Sequence, residues 1–559
     1  MDFRPPVARD YSSATLVDTF RQGSDSSQDR TAVNTQVEPE QQPKDEDASE
    51  KPQKSVSEAQ RDEAQQSQPY KLIHFEANDP ENPLNWSKWR KWRALLASFT
   101  FTFAITSGIT AYNKGIPSMS EIGATETTGL LGSTSLLVAV GFGPLFLAPV
   151  SERWGRKWTI IGSFFIFALL WIPEALAQDV ASVIVIRGFQ GVVGSVGNTV
   201  VGGVVADCFL GKKRSFPMTC FCTVIIFNQA LSAVWAGYVE LYLGWRWIGW
   251  SDAIMCISSA IFAFVILEES RADAILSKRA AKLTKETGRP HTTEFDIINS
   301  ERSMVAALKT SLLRPVIFLL TEPVVICWSL WIGLLWSEVF MLYAGVPTVF
   351  AIYDFDVAQT GLVFVSIAIA AFFAFPINWL ANWLYVRDQR KSPIGVAPPE
   401  SRLYLCCIGG VGVPLSLFIF AATARPGVHW FWPCFALWLF TVFLIPIYVT
   451  VNTYLSDSYE TYASSALSSA AFLRNILAGI LPLFTPVMYR NLGNVAGSCL
   501  IGGLASLFIP VPFVLFKYGH QIRKMSKVSK VIAEQQELRA LQSQRRLSNQ
   551  MQPPQKEEA

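Results

Sequence analysis

The chain has 559 residues, of which 50% are hydrophobic and 16% charged, with mean hydropathy +0.28. Soluble proteins carry about 25% charged residues. The deficit here lies between two polar ends, 1–85 and 519–559, leaving a middle with apolar runs of the ~20 residues that cross a bilayer. A soluble multidomain enzyme and a secreted disulfide scaffold are excluded, and a net charge of +3 is too small to indicate a nucleic-acid partner.

Residues 1–70 hold 14 Asp and Glu against 8 Lys and Arg, among Ser, Gln and Pro. The opening MDFRPPVARDYSSATLVDTF has no apolar signal region. This composition buries no core, so 1–85 reads as a disordered acidic tail. Apolar runs follow near 94–113, 129–149, 158–177, 180–206, 217–240 and 246–267, then near 323–350, 359–384, 403–424, 430–452, 464–488 and 494–516. Each is long enough, at 1.5 Å per residue, for a core of about 30 Å. The expectation is an all-α membrane protein of twelve transmembrane helices. A six-helix bundle over 86–267 and another over 314–518 are joined by a linker over 268–313, and 519–559 forms a second tail. Pro144, Pro173, Pro376, Pro414 and Pro482 fall inside the runs, where membrane helices tolerate them.

Loop charge sets the orientation. One side carries Lys88, Arg90, Lys91 and Arg93, then Arg153, Arg156 and Lys157, then Lys212, Lys213 and Arg214, the linker lysines and arginines, and Arg387, Arg390 and Lys391. The other offers only Lys114, Arg246, Arg425 and Arg490. Both tails and the linker are therefore expected in the cytoplasm, with Lys114 snorkelling to the outer surface. Trp86, Trp89 and Trp92 are expected as anchors at the first water–lipid boundary. The linker stretch AILSKRAAKLTKE reads as a basic helix, either on the inner leaflet or in solvent. Apolar residues from Ile522 to Leu541 suit a short surface helix.

None of the nine cysteines forms a C-x-x-C pair, the four histidines are scattered, and no nucleophile elbow or P-loop occurs. No enzyme activity, metal or cofactor is expected.

The short loops are more specific. After Gly141-Phe142-Gly143-Pro144 comes Ala148-Pro149-Val150-Ser151-Glu152-Arg153-Trp154-Gly155-Arg156-Lys157. Gly155 permits a tight turn there, and Glu152 can pair with Arg153, Arg156 or a helix end to latch the cytoplasmic side. This stretch resembles motif A of the major facilitator superfamily in its fungal drug:proton antiporter form. Other stretches resemble the same family: Asp79-Pro80-Glu81-Asn82-Pro83-Leu84-Asn85-Trp86 before span 1, Arg187-Gly188-Phe189-Gln190-Gly191 in span 4 (motif B), Gly244-Trp245-Arg246-Trp247, Asn452 to Tyr459, and Tyr462 to Ala466. The resemblance covers about 79–518. It implies two pseudo-symmetric six-helix bundles with a substrate cavity near the midplane, exposed alternately to each side. It also implies export of small, mostly apolar toxic molecules driven by proton entry. One feature departs from the family: Asn228, Gln229, Ser232 and Ala233 stand where the Gly-Pro pairs of motif C belong in span 5. The bend those pairs make is missing, and Asn228 and Gln229 become candidates either for substrate contact or for polar contacts between helices.

A charged side chain inside a membrane helix costs about 2.5–3.5 kcal/mol and needs a reason. Arg187 matches the motif B arginine, which the resemblance ties to proton coupling. Asp252 in span 6 and Glu338 in span 7 are the candidate proton carriers, being carboxyls in apolar surroundings. Glu174 and Arg474 are expected to be structural. Trp336, Tyr343 and Trp438 are candidates to wall a cavity for flat apolar molecules. The glycines of span 4 (188, 191, 194, 197) suit close helix packing.

The expected function is proton-driven efflux of a small organic molecule across the cell membrane by a monomer; the vacuolar membrane is the other possible location. An importer of a solute such as a polyamine or vitamin is the alternative, although Leu267-Glu268-Glu269-Ser270-Arg271 does not match the sugar-porter P-E-S-P-R. A non-transporting sensor is the other class.

Overall fold

The computed structural model describes residues 70–76, 78–209, 211–301, 304–391, 398–459 and 463–525. The acidic tail up to residue 69, Tyr462 and the C-terminal stretch beyond Met525 lie outside the described residues. The described chain is helical apart from one two-residue strand pair. In order, the helices are α1 (Lys88–Gly115), α2 (Glu126–Trp154), α3 (Arg156–Ala175), α4 (Val180–Cys208), α5 (Ser215–Leu243) and α6 (Trp245–Ile266). Then come α7 (Ala272–Thr287), α8 (Glu294–Glu301), α9 (Met304–Thr321) and α10 (Pro323–Phe350). The chain continues with α11 (Val357–Leu362), α12 (Val365–Ala371), α13 (Ala374–Lys391), α14 (Tyr404–Thr423) and α15 (Phe431–Tyr459). It ends with α16 (Ala463–Ile480), α17 (Thr485–Ser506) and α18 (Pro510–Met525).

Two compact units are present. All the helices named below for the candidate site belong to the larger, drawn from 73–282 and 293–559. The smaller contains β1 (Lys71–Leu72), paired in parallel with β2 (His291–Thr292), Lys71 opposite His291.

Eleven segments among the described residues are long and apolar enough to cross a membrane. The last, Ala463–Gly519, has 57 residues, or about 85 Å of helix, enough for two crossings. It is divided where the sequence predicts: Gly493 inside α17 has φ 77° and ψ 173°, between the runs 464–488 and 494–516. Twelve crossings are therefore accounted for. The α11–α13 segment is one span broken twice. Pro376 lacks the N–H that would bond Phe372 O, so Phe375 N bonds that oxygen instead at 3.3 Å, tightening the turn between α12 and α13.

Helix starts follow local chemistry. Ser87 Oγ accepts from Arg90 N, Thr125 and Thr128 form a capping box, and the Asp179 carboxylate accepts from Ser182 N at 2.7 Å. Within the first six helices the glycines of α4 serve packing as expected: a Cβ on Gly197 would lie 3.0 Å from Phe101 O, and one on Gly191 would strike Leu136 O. Thr102 Oγ1 uses the close approach to donate to Gly197 O at 2.6 Å.

Two expectations are corrected. Trp86 is buried under the Arg90 guanidinium and Trp92 packs edge-on against Phe209 and Phe216, so of the three tryptophans only Trp89 projects outward. Lys114 does not snorkel. Its side chain is 6% exposed, with Nζ 4.9 Å from the centre of the Phe364 ring, which itself stacks on Tyr343 at 4.6 Å. The aromatic face attracts the ammonium inward between helices.

Candidate functional site

At the turn between α2 and α3, a single residue links the two helices. Gly155 has φ 96° and ψ 161°, a conformation open essentially to glycine alone. Its missing Cβ also leaves room for the Glu269 carboxylate. Glu269 caps α3: Oε1 accepts from Arg156 N at 2.8 Å and Oε2 from Lys157 N at 3.2 Å, while Arg271 N also donates to Oε1 at 3.0 Å. Negative charge at a helix start is favourable both as a cap and toward the helix dipole. Arg156 reaches back to Asp207 at 3.2 Å and Ser151 Oγ at 2.8 Å. Next door, Glu268 pairs with Arg90 at 2.6 Å and with Arg93.

The motif A residues are thus brought together, but with partners other than those expected. Glu152 and Arg153 are exposed, and Glu152 forms no ion pair among the described residues. The ion pairs and the helix cap at this turn are made by Glu268 and Glu269, which follow α6, and by Asp207. The reason is geometric: Glu152 lies on the outward face of the last turn of α2, whereas the chain leaving α6 passes directly over the first turn of α3. Glu269→Ala should therefore lower stability by about 1–2 kcal/mol, and Glu152→Ala should change it by less than about 0.5 kcal/mol. Thermal unfolding in detergent would measure both.

A buried charge cluster occupies the opposite end of the same half. Arg187 is fully buried. Its Nη1 pairs with Glu174 Oε1 at 3.0 Å, Nη2 donates to Gly108 O at 3.0 Å, Nε donates to Gly132 O at 3.1 Å, and the guanidinium lies 3.7 Å from the centre of the Tyr112 ring. Gln190 Nε2 donates to Glu174 Oε2 at 2.7 Å. Asp252, also fully buried, accepts from Ser107 Oγ at 3.0 Å, leaves Oδ2 without a partner, and lies within electrostatic reach of both Glu174 and Arg187. The arginine pairs with one carboxyl, Glu174, while a second, Asp252, is buried in the same region without an ion pair. A narrow crevice is lined by Tyr112, Met119, Trp171, Glu174, Trp245 and Gly249. Sequence reasoning set Glu174 aside as structural; a glutamate within a membrane run near a buried arginine was the available signal.

The residues in place of motif C form a polar seam between α5 and α1. Asn228 Nδ2 donates to Phe103 O at 2.6 Å and to Thr106 Oγ1 at 2.9 Å, and Ser232 Oγ bonds Thr110 Oγ1. Asn228 is engaged in joining helices. Gln229 is buried beside it.

In the second half, Glu338 on α10 is 1% exposed, has no hydrogen bond or ion pair among the described residues, and leaves Oε2 unpartnered. On the same helix Trp336 packs against Phe340 and Tyr448, and Tyr343 stacks on Phe364. Trp438 is not part of this group: it packs edge-on with Phe373 at 5.2 Å and against Phe435, both of which are exposed. A second crevice runs between Ile109, Asn113 and Ser133 of the first half and Phe340, Gly479 and Pro482 of the second.

The sequence profile of the Major Facilitator Superfamily matches residues 94–483. The chain is 31% identical over 463 residues to the Major facilitator superfamily multidrug transporter mdrA of Aspergillus fumigatus, covering 82% of this chain and 75% of that one. It is 32% identical over 464 residues to the MFS-type efflux pump MFS2 of Trichophyton rubrum, covering 83% and 78%. The fold is similar to a partially occluded inward-open structure of the xylose transporter XylE from E. coli, with TM-score 0.53 and 15% identity over 77% of this chain and 98% of that one.

Proposed function

From the fact that the chain belongs to the major facilitator superfamily, and so is a multi-pass membrane transporter and not an enzyme, we propose that it exports small, flat, largely apolar organic molecules at the expense of proton entry. The observation that carries the proton reading is the charge imbalance around Arg187: one buried guanidinium against Glu174 and Asp252. Two ionised carboxylates there would leave one negative charge uncompensated in a low-dielectric site, so one of them binds a proton in part of the cycle. Asp252 is the carrier, since Glu174 is engaged by Arg187 and Gln190 while Asp252 Oδ2 is free. Glu338, buried and unpaired on α10 among the described residues, is a second candidate carboxyl, in the other half.

The crevice that Glu174 helps to line suits proton access from outside, given the loop charges that place both termini in the cytoplasm. The aromatic group of Trp336, Phe340, Tyr343 and Tyr448 suits a flat apolar cargo. Efflux is favoured by the relatives named as multidrug transporter and efflux pump. The protein acts at the cell membrane, as a monomer.

The test is accumulation of labelled apolar compounds in a pump-deficient fungal strain with and without the protein. Lower accumulation is expected, abolished by an uncoupler, and Asp252→Asn should remove at least 90% of the uncoupler-sensitive flux. Higher accumulation would make the protein an importer instead. No difference for any compound in the panel would overturn the efflux reading.

A further inference from the structure

Arg474 is a cation within the second half that no carboxylate among the described residues neutralises. It lies eleven residues into α16, about 16 Å along the helix, and a charge within an apolar span needs a reason. Its Nε meets only Asn475 Oδ1, at 3.4 Å, and no described carboxylate pairs with it. Its guanidinium stands 5.5 Å from the centre of the Trp336 ring. Tyr448 of α15 packs edge-on against Trp336 at 5.4 Å and contacts Arg474. From the first half, Cys222 of α5 comes within electrostatic reach, and Gly141 of α2 closes on the neighbouring Asn475.

Trp336, Tyr448 and Cys222 are buried, whereas Arg474 is half-buried. Its surroundings are drawn from both halves, α2 and α5 of the first and α10, α15 and α16 of the second. The Trp336 indole N–H is buried and has no acceptor. The charged and unsatisfied groups that meet here are donors, a guanidinium fork and an indole N–H, beside two aromatic faces, and the acceptors at hand, Asn475 Oδ1 and the Tyr448 hydroxyl, are neutral.

We propose that Arg474, Trp336 and Tyr448 form an anion subsite that takes the acidic head group, carboxylate or sulfonate, of a flat aromatic organic acid. The inference rests on the transport reading above and names a substrate class for it. A planar guanidinium matches a carboxylate or sulfonate with two parallel N–H···O bonds, and charge-assisted bonds of this kind are about twice as strong as neutral ones. The rings of Trp336 and Tyr448 hold the aromatic body, which fixes the head group against Arg474. Organic cations are disfavoured at the same place, because Arg474 has no counter-charge to screen it.

The experiment uses the full chain in proteoliposomes under an imposed proton gradient. The probes are labelled 2-naphthalenesulfonate, which is permanently charged and membrane-impermeant, and naphthalene-2-sulfonamide, its neutral counterpart. The wild-type protein should move the sulfonate, and Arg474→Gln should lower the sulfonate-to-sulfonamide rate ratio at least tenfold. Arg474→Lys, a point charge without the fork, should fall between the two. Trp336→Leu should raise the KM for the sulfonate at least threefold while kcat stays within twofold, a split that general misfolding does not produce. A wild-type protein that moves only the sulfonamide would overturn the anion subsite and leave the transport reading intact. An unchanged ratio in Arg474→Gln would also overturn it. Movement of neither probe, together with no flux of any compound in the cell-based panel, would overturn both.

Discussion

Replacing Arg187 with methionine should destabilise the protein by about 3–5 kcal/mol, the range for removing one partner of a buried ion pair. The guanidinium is fully enclosed and satisfies four groups at once: the Glu174 carboxylate, Gly108 O, Gly132 O and the Tyr112 ring face. Methionine fills much of the volume but leaves Glu174, 3% exposed, with only Gln190 as a hydrogen-bond donor. Most of the cost is thus the stranded carboxylate and not lost packing. Pairing Arg187→Met with Glu174→Leu removes both charges, and the double variant should recover more than half of the loss. Thermal unfolding in detergent and the amount of protein in the membrane are the measurements. If the double variant is as unstable as Arg187→Met, the ion-pair account is wrong and the two carbonyl bonds carry the effect.

Gly361→Leu should cut transport more than tenfold while leaving the amount of folded protein close to normal. The two halves touch at backbone distance on α5 and α11. A Cβ on Gly361 would lie 2.7 Å from Ala233 O, and one on Gly237 would lie 2.8 Å from Val357 O. Backbone atoms cannot rotate away as a side chain can, so a leucine there holds the helices apart. The strain falls on contacts between the halves, so each half keeps its own packing and the rocking motion is what suffers. A matching crossing joins α2 and α16, where a Cβ on Gly141 would lie 3.3 Å from Phe472 O and one on Gly479 3.3 Å from Thr134 O. Gly237→Leu should act like Gly361→Leu. Gly162→Leu is the control, since nothing lies within 4 Å of its would-be Cβ. Wild-type flux in both Gly361→Leu and Gly237→Leu would show that this contact need not close during transport.

How much of this was legible beforehand depended on the range of the interaction. The span of α10 was read at its full limits, 323–350, because twenty-odd apolar residues bounded by Glu322 and a loop leave little choice. The join between the last two spans was legible only as the gap between 488 and 494, in which Gly493 falls, and the turn of motif A at Gly155 because only glycine adopts that backbone. These are properties of neighbours along the chain. The resemblance carried by residues 148–157 likewise needed nothing beyond their order.

Partners were another matter. Glu152 looked like the latch because it stands beside Arg153 and Arg156 in sequence, yet Glu269, more than a hundred residues away, caps α3. Lys114 looked free to reach water, but the first residues of the α11–α12 segment put Phe364 against it. Trp438 and Trp336 were equal as aromatic residues in apolar runs, and only the packing of α15 against α12 and α13 turned Trp438 toward Phe373 and away from Trp336. Chain length, span positions, turn glycines and family are written in local composition and spacing, which a linear sequence displays. Which buried charge meets which is decided by the faces that a dozen helices turn toward one another, a choice made by side-chain packing across hundreds of residues. Arg187 and Glu174 are thirteen residues apart and still became a pair only when α3 and α4 folded back to back around Gly108 and Tyr112 of α1.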